Sequence, residues 1–263
     1  MGRLTMLKSS KLHISKVYPL QHGFGLVEIL IAMAIGLMLT AGIIQIFVGS
    51  RQTYRVQDNL SQLQENGRFA LIQVGNILRM TGFKTDPTDT LTFATGAVTG
   101  TDTAGTPDQI SVSFQGASDG TTIDCIGLPV SASTTTSTTI VQNQFSINSN
   151  ELRCVSTRIT TTGGTTTNTT NTQPLVENVE DMQITYGVDA NGTGSANYYV
   201  NASSVTNWSQ VVSLHVSLLL RSEEDNLTPV AQTYQYNGIA TTAVDSRLRA
   251  VFSTTVALRN LLP

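Results

Sequence analysis

Hydrophobic and polar positions follow three different periods along this chain, and the changes of period divide it. Residues 24–48, FGLVEILIAMAIGLMLTAGIIQIFV, are apolar almost without interruption, with Glu28 and Gln45 the strongly polar exceptions and no proline. About 25 such residues in a helix reach across a hydrocarbon core about 30 Å thick. From 51 to 81 the sequence turns polar but keeps a helical period. Val56, Leu60, Leu63, Gly67, Ala70, Val74 and Ile77 recur at spacings of three and four, which is one stripe of a helix. Gln52, Arg55, Asp58, Asn59, Gln62 and Glu65 fall largely off that stripe. With no proline between Phe24 and Asp86, the pattern predicts one helix of roughly 55 residues, near 80 Å long. Its first half is apolar all round and its second half amphipathic, and Gly82 and Pro87 are the predicted stop.

Beyond Pro87 the period falls to two. Ile110, Val112 and Phe114 alternate with serines; Met182, Ile184, Tyr186 and Val188 alternate with Gln183, Thr185 and Gly187. Val212, Leu214, Val216, Leu218 and Leu220 form a third face opposite Ser213, His215 and Ser217, and Phe252, Thr254, Val256 and Leu258 a fourth. Such alternation predicts half-buried antiparallel strands, with the amphipathic stripe as the surface they cover. The stretches 95–106, 131–139 and 156–172 are rich in Thr, Ser and Gly and read as hairpin tips or surface loops, with partner binding or glycan attachment the lesser alternative. The expected fold is therefore α+β: a long N-terminal helix on an antiparallel sheet. It divides into 1–23 ahead of the helix, 24–48 spanning a membrane, 49–82 amphipathic, and 83–263 a β-rich head.

Composition and charge then narrow the class. Charged residues make up 13% of the chain, against about 25% in ordinary soluble domains. Residues 1–23 carry Arg3, Lys8, Lys11 and Lys16 and no acid, while the remainder holds 11 basic and 18 acidic residues. A basic leader ahead of an apolar segment keeps the N-terminus cytoplasmic. The acidic remainder offers no footprint for nucleic acid. The apolar run is longer than the core of a cleavable secretory signal, and the plausible cut lies before it, so the helix stays with the mature chain. Cys125 and Cys154 have no close Cys or His neighbours in sequence, which disfavours a zinc site. If the residues past the helix are exported, these cysteines are expected to form a disulfide, the alternative being two buried thiols.

Gly23-Phe24-Gly25-Leu26-Val27-Glu28, between a basic leader and an apolar helix, resembles the processing signal of type IV prepilins. The resemblance implies cleavage between Gly23 and Phe24 by a prepilin peptidase, N-methylation of Phe24, and Glu28 as fifth residue of the mature chain. Glu28 would pair with the positive N-terminus of a neighbouring subunit and set register, since a carboxylate in an apolar core costs a few kcal/mol. That family usually has Thr or Ser where this chain has Gly25. The resemblance extends further: FVGSRQTYRVQDNLSQLQENGRFAL, PLVENVEDMQITYGVD, VSLHVSLLLRSEED and VFSTTVALRN are similar to segments of PilW-type minor pilins. It implies a type IV pilin-like fold and a subunit of a tip complex that primes pilus assembly and supports twitching motility and adhesion. The implied partners are other minor pilins, the major pilin, a large tip adhesin and the inner-membrane assembly platform. The implied location is the inner membrane before assembly and the pilus surface after it. The alternatives are a J-type minor pseudopilin of type II secretion and, from another class, a filament-borne adhesin or DNA-uptake module.

No catalytic set, cofactor or metal site is expected. Beyond the leader His215 is the one histidine, on the polar side of a predicted strand, and cannot alone build a nucleophile–base–acid set. Asp189, Asn191 and Gly192 resemble part of a calcium loop without its closing Glu, and read as a hairpin turn. Glu223, Glu224 and Asp225 read as a solvated turn and Trp208 as a packing residue.

Overall fold

A computed structural model describes residues 23–86, 92–94, 96–130, 133–134 and 136–262. Residues 1–22 of the basic leader, Pro87 of the predicted helix stop, and residues 95, 131–132 and 135 of the Thr-rich stretches lie outside the described residues. The chain divides into two compact units, one up to Arg51 and one from Gln52 onward. Helix α1, Leu26–Arg79, is 54 residues long and supplies most of the described first unit.

In the first unit every described residue is exposed, and the most apolar window of α1 has a mean hydropathy of 2.4. A helix apolar on all sides and covered by nothing is suited to lipid or to other helices, because it satisfies its own backbone groups. Thr40 follows the same logic, donating its hydroxyl to the Gly36 carbonyl at 2.8 Å. At the polar end of the run the Arg51 guanidinium lies 4.9 Å from the centre of the Phe47 ring. A cation held over an aromatic face in this way marks the change from apolar to polar surface.

In the second unit the amphipathic stripe is largely as the spacing predicts: Leu63, Gly67, Ala70, Val74, Ile77 and Leu78 are buried. Two neighbours are exchanged, however. Leu60 is 41% exposed, whereas Asn59, expected off the stripe, is buried. Four residues back from Leu63 along a helix lands on Asn59, and Leu60 sits about 100° further round. Burial is tolerable for this amide because Nδ2 donates to the Arg55 carbonyl at 3.0 Å and Oδ1 accepts from the Glu224 amide at 3.3 Å. Gly67 is required where it stands, since a Cβ there would overlap the Phe252 ring.

Gly82 ends the helix with φ of +74°, the left-handed conformation that glycine adopts freely. Its amide donates to the Ser113 carbonyl at 2.9 Å, and Asn260 Nδ2 donates to the carbonyls of Arg79 and Thr81, satisfying groups the helix leaves unpaired.

Two antiparallel sheets complete the head. The first is a meander of β1 (Val98–Thr101), β2 (Gln109–Gln115), β3 (Ser137–Asn148), β4 (Glu151–Thr162) and β5 (Thr165–Glu177), in that spatial order. In the second, β6 (Val179–Val188), β7 (Tyr198–Val200), β8 (Val211–Arg221) and β11 (Arg249–Ala257) lie in the order β11-β8-β6-β7. A hairpin of β9 (Thr233–Tyr236) and β10 (Ile239–Thr242) stands apart. Inward side chains of both sheets, among them Phe114, Phe145, Met182, Tyr186, Leu214 and Leu218, form one core with the buried face of α1. The architecture is α+β.

Much of the Thr-rich sequence read as loop is strand. Residues 156–172 are the facing halves of β4 and β5, joined by Gly163-Gly164 and in register from Thr162↔Thr165 to Val155↔Thr172. Residues 137–139 open β3, and 98–101 form β1. Threonine is β-branched and pairs across strands through its hydroxyl, as in Thr157–Thr170 at 3.1 Å and Thr161–Thr166 at 2.9 Å, so a polar run can be a regular ladder.

Candidate functional site

The N-terminal segment carries the candidate chemistry, and its local structure follows from its residue types. Gly23, Phe24 and Gly25 have no regular structure, and Phe24 is 80% exposed. Gly23 has open space where a Cβ would stand. A peptide bond flanked by a small residue, outside regular structure and uncovered, can enter a protease cleft. The Gly25 carbonyl accepts the first helical bonds, from the amides of Glu28 at 3.0 Å and Ile29 at 3.2 Å. Gly25 therefore stands at the cap of α1, where glycine costs only a few tenths of a kcal/mol relative to Ser or Thr. Glu28 lies in the first turn, where a negative charge is favoured by the unpaired amides of a helix N-terminus. It is exposed, beside an apolar helix with no other acid before Asp58.

The two cysteines are brought together. Cys125 and Cys154 form a disulfide with Cα atoms 6.3 Å apart, tying the loop before β3 to β4 in the interior of the head. Beside it lies a feature with no signal in the sequence. The buried Asp124 carboxylate accepts from Arg158 at 2.6 Å and Ser156 at 2.9 Å, and from the amides of Ile126 and Leu128. These bonds fix the turn 124–128, and the exposed Ile123 just before it borders an open hollow of about 770 Å³ lined also by Phe69, Met80 and Leu175.

A second ion network also escaped the sequence. Arg249 bonds Glu180 and Asp245, pinning the segment that carries β9 and β10. Hydrogen bonding to Arg249 pulls the Asp245 carboxyl down to about 2.

The remaining candidates are each held in local contacts. His215 is bonded to the hydroxyls of Thr255 at 2.9 Å and Ser217 at 3.4 Å. The Asp189 carboxylate accepts the amides of Thr193 and Gly194, which closes a turn. Trp208 packs edge-on against Tyr186 with ring centres 5.0 Å apart. Within the acidic turn Glu224 pairs with Arg55 at 2.7 Å, and Asp225 accepts from Asn226 and Ser246. Among the described residues no three metal-ligating side chains are grouped to hold an ion.

Comparison with known proteins places this geometry in context. Residues 131–260 match the model of the family described as type IV pilus-assembly protein W, and residues 19–44 match the prokaryotic N-terminal methylation motif. No curated protein matches the chain. Among solved structures it is similar to a type IV-like pilin from Thermus thermophilus, at 18% identity and a TM-score of 0.43, covering 80% of this chain and 99% of that one. It is also similar to a chain of the GspK-GspI-GspJ complex of the enterotoxigenic Escherichia coli type 2 secretion system, at 12% identity and a TM-score of 0.34, covering 74% and 96%. The chain thus carries the prepilin-type methylation motif at the start of an exposed apolar helix, and its head, over residues 131–260, matches the PilW family of type IV pilus-assembly proteins.

Proposed function

We propose that this chain is processed between Gly23 and Phe24 and then enters a type IV pilus as a minor pilin, in a tip complex that primes assembly. The observation that carries the reading is the exposed apolar N-terminal half of α1 with one carboxylate, Glu28, in its first turn four residues after Phe24. Before assembly this helix anchors the chain in the inner membrane, with the head on the far side. Cleavage creates a new N-terminus at Phe24 and methylation follows there; the chain itself is substrate, not catalyst. In the filament the apolar faces of neighbouring helices replace lipid.

Glu28 then has a definite task. Moved into a bundle of apolar helices, its charge is costly unless it meets the positive N-terminus of a neighbour. That pairing is satisfied at one stagger only, whereas apolar contact alone tolerates sliding. The partners that follow are the prepilin peptidase, other minor pilins, the major pilin, the assembly platform and a large tip adhesin. The head, held by its disulfide, presents the surface on which tip contacts are made.

The test is deletion and complementation. Removing the chain should abolish surface pili and twitching and leave protein secretion intact; loss of secretion with pili intact would overturn the reading in favour of a pseudopilin. Complementation with Glu28→Ala should restore a cleaved protein in the membrane but not pili. Normal piliation with that variant would contradict the register role.

A further inference from the structure

Strand β5 ends the first sheet, with β4 on one side and, among the described residues, no strand on the other. From Thr165 to Thr172 it is exposed apart from a half-buried Asn171, and no charged residue lies between Arg158 and Glu177. Natural sheet edges of this length are usually guarded by charge, proline or a bulge, because their open amides and carbonyls recruit other strands. The register shift in the β4–β5 ladder falls at Leu152/Arg153, away from this stretch.

Hairpin geometry fixes which groups are open. Gly163 and Gly164 have φ of +56° and +83°, a type I′ turn, which closes on the hydrogen-bonded pair Thr162↔Thr165. Bonding then alternates along the strand: Thr165, Thr167, Thr169 and Asn171 face β4, and Thr166, Asn168, Thr170 and Thr172 turn amide and carbonyl outward. The next outward position is Pro174, which has no amide to offer. The open edge is thus bounded by the turn at one end and a proline at the other, with Thr169 at its centre.

We propose that this edge pairs with the same edge of a second copy of the chain, the two β5 strands running antiparallel about a twofold axis at Thr169. The outward positions are symmetric about that residue. Rotation sets Thr166 opposite Thr172 and Asn168 opposite Thr170, giving about eight backbone hydrogen bonds, two for each outward-facing pair. Every facing side chain is Thr or Asn, and Thr–Thr pairs already run across β4–β5. No like charges meet, although the chain after the leader is net acidic. The two sheets would join into one of ten strands. This inference stands apart from the pilus reading, since it needs only the head.

Cysteine pairing in the full-length protein in detergent micelles tests it. On the axis Thr169 would face its own copy as a non-hydrogen-bonded pair with Cα atoms about 4.5 Å apart, within disulfide reach. Thr167 would face Asn171 instead. Copper-phenanthroline oxidation should therefore link Thr169→Cys into a covalent dimer and leave Thr167→Cys monomeric. Adding Asn168→Pro to Thr169→Cys removes one outward amide from each copy and should lower the dimer yield about tenfold. The β4 ladder should survive, read by an unchanged circular dichroism spectrum and an intact Cys125–Cys154 bond. Absence of the Thr169→Cys dimer, equal linking of both cysteine variants, or a yield indifferent to Asn168→Pro would each overturn the proposal. So would linking of Thr169→Cys to a different chain, which would assign the edge to a heterologous strand.

Discussion

Asp108 carries its charge in the core of the head, and the geometry around it sets how stability varies with pH. Its amide donates to the Met182 carbonyl and its Oδ2 accepts from the Ile184 amide, both at 2.8 Å, while Oδ1 is buried without a partner. Burial pushes this carboxyl up to about 6; the Ile184 bond opposes the shift, and Asp102 and Asp181 add to it. An unfolded Asp titrates near 4, so between about pH 4 and 6 the native state binds more protons. Stability therefore falls as pH rises through that window, by on the order of 1–3 kcal/mol for this group. Asp108→Asn keeps an acceptor for Ile184 and should flatten the fall, measured by urea unfolding at pH 4.0, 5.0 and 6.5 (values spanning the window). An unchanged pH profile would remove Asp108 as its cause. Gly67 makes a second prediction at this scale. Gly67→Ala, ordinarily stabilising in a helix, should here cost about 1–3 kcal/mol because Phe252 must move. Legibility at single positions was limited by the same kind of detail. The exchange of Asn59 for Leu60 depends on two hydrogen bonds made to partners 4 and 165 residues away, and helical spacing cannot see them.

At the scale of elements, what could be read depended on where apolar side chains fall. The strands β2, β6, β8 and β11 each bury an alternating apolar face and were legible from it. The distal β4–β5 hairpin buries little, so its Thr and Asn residues gave no hydrophobic signal. Its Gly163-Gly164 turn was the available clue, as was Asn237-Gly238 between β9 and β10, where φ is +50° and +76°. The disulfide belongs to this scale because it joins an irregular segment to a strand. It closes a loop with a sequence separation of 29 residues, so Cys125→Ser with Cys154→Ser should cost roughly 3–4 kcal/mol of stability. Urea unfolding of the double variant against the parent checks this, and reductant should shift the midpoint of the parent alone. Equal midpoints would mean that the Asp124–Arg158 cluster holds this region without the bond.

For the molecule as a whole, the signal that could be read most directly is a local one: residues 19–44 match the N-terminal methylation motif. The roles proposed for Gly23, Phe24 and Glu28 rest on spacing along that one stretch of chain, and no distant contact is needed to propose them. The head was legible in class but not in topology: two sheets and a separate hairpin emerge where one sheet was expected. The proposed life history, in which the apolar helix is held first by lipid and then by other helices, rests on the exposure and hydropathy of that segment. Gly23→Val should block the cut and leave the chain in the membrane with its leader attached, detected as a slower-migrating band, because a branched side chain beside the bond opposes entry into the protease. A normal mature band would show that the cut is elsewhere. The most direct measurement is mass spectrometry of the N-terminal peptide of the protein recovered from cells. The account predicts a chain beginning at Phe24 and carrying one added methyl group, whereas an intact leader or any other first residue would contradict it.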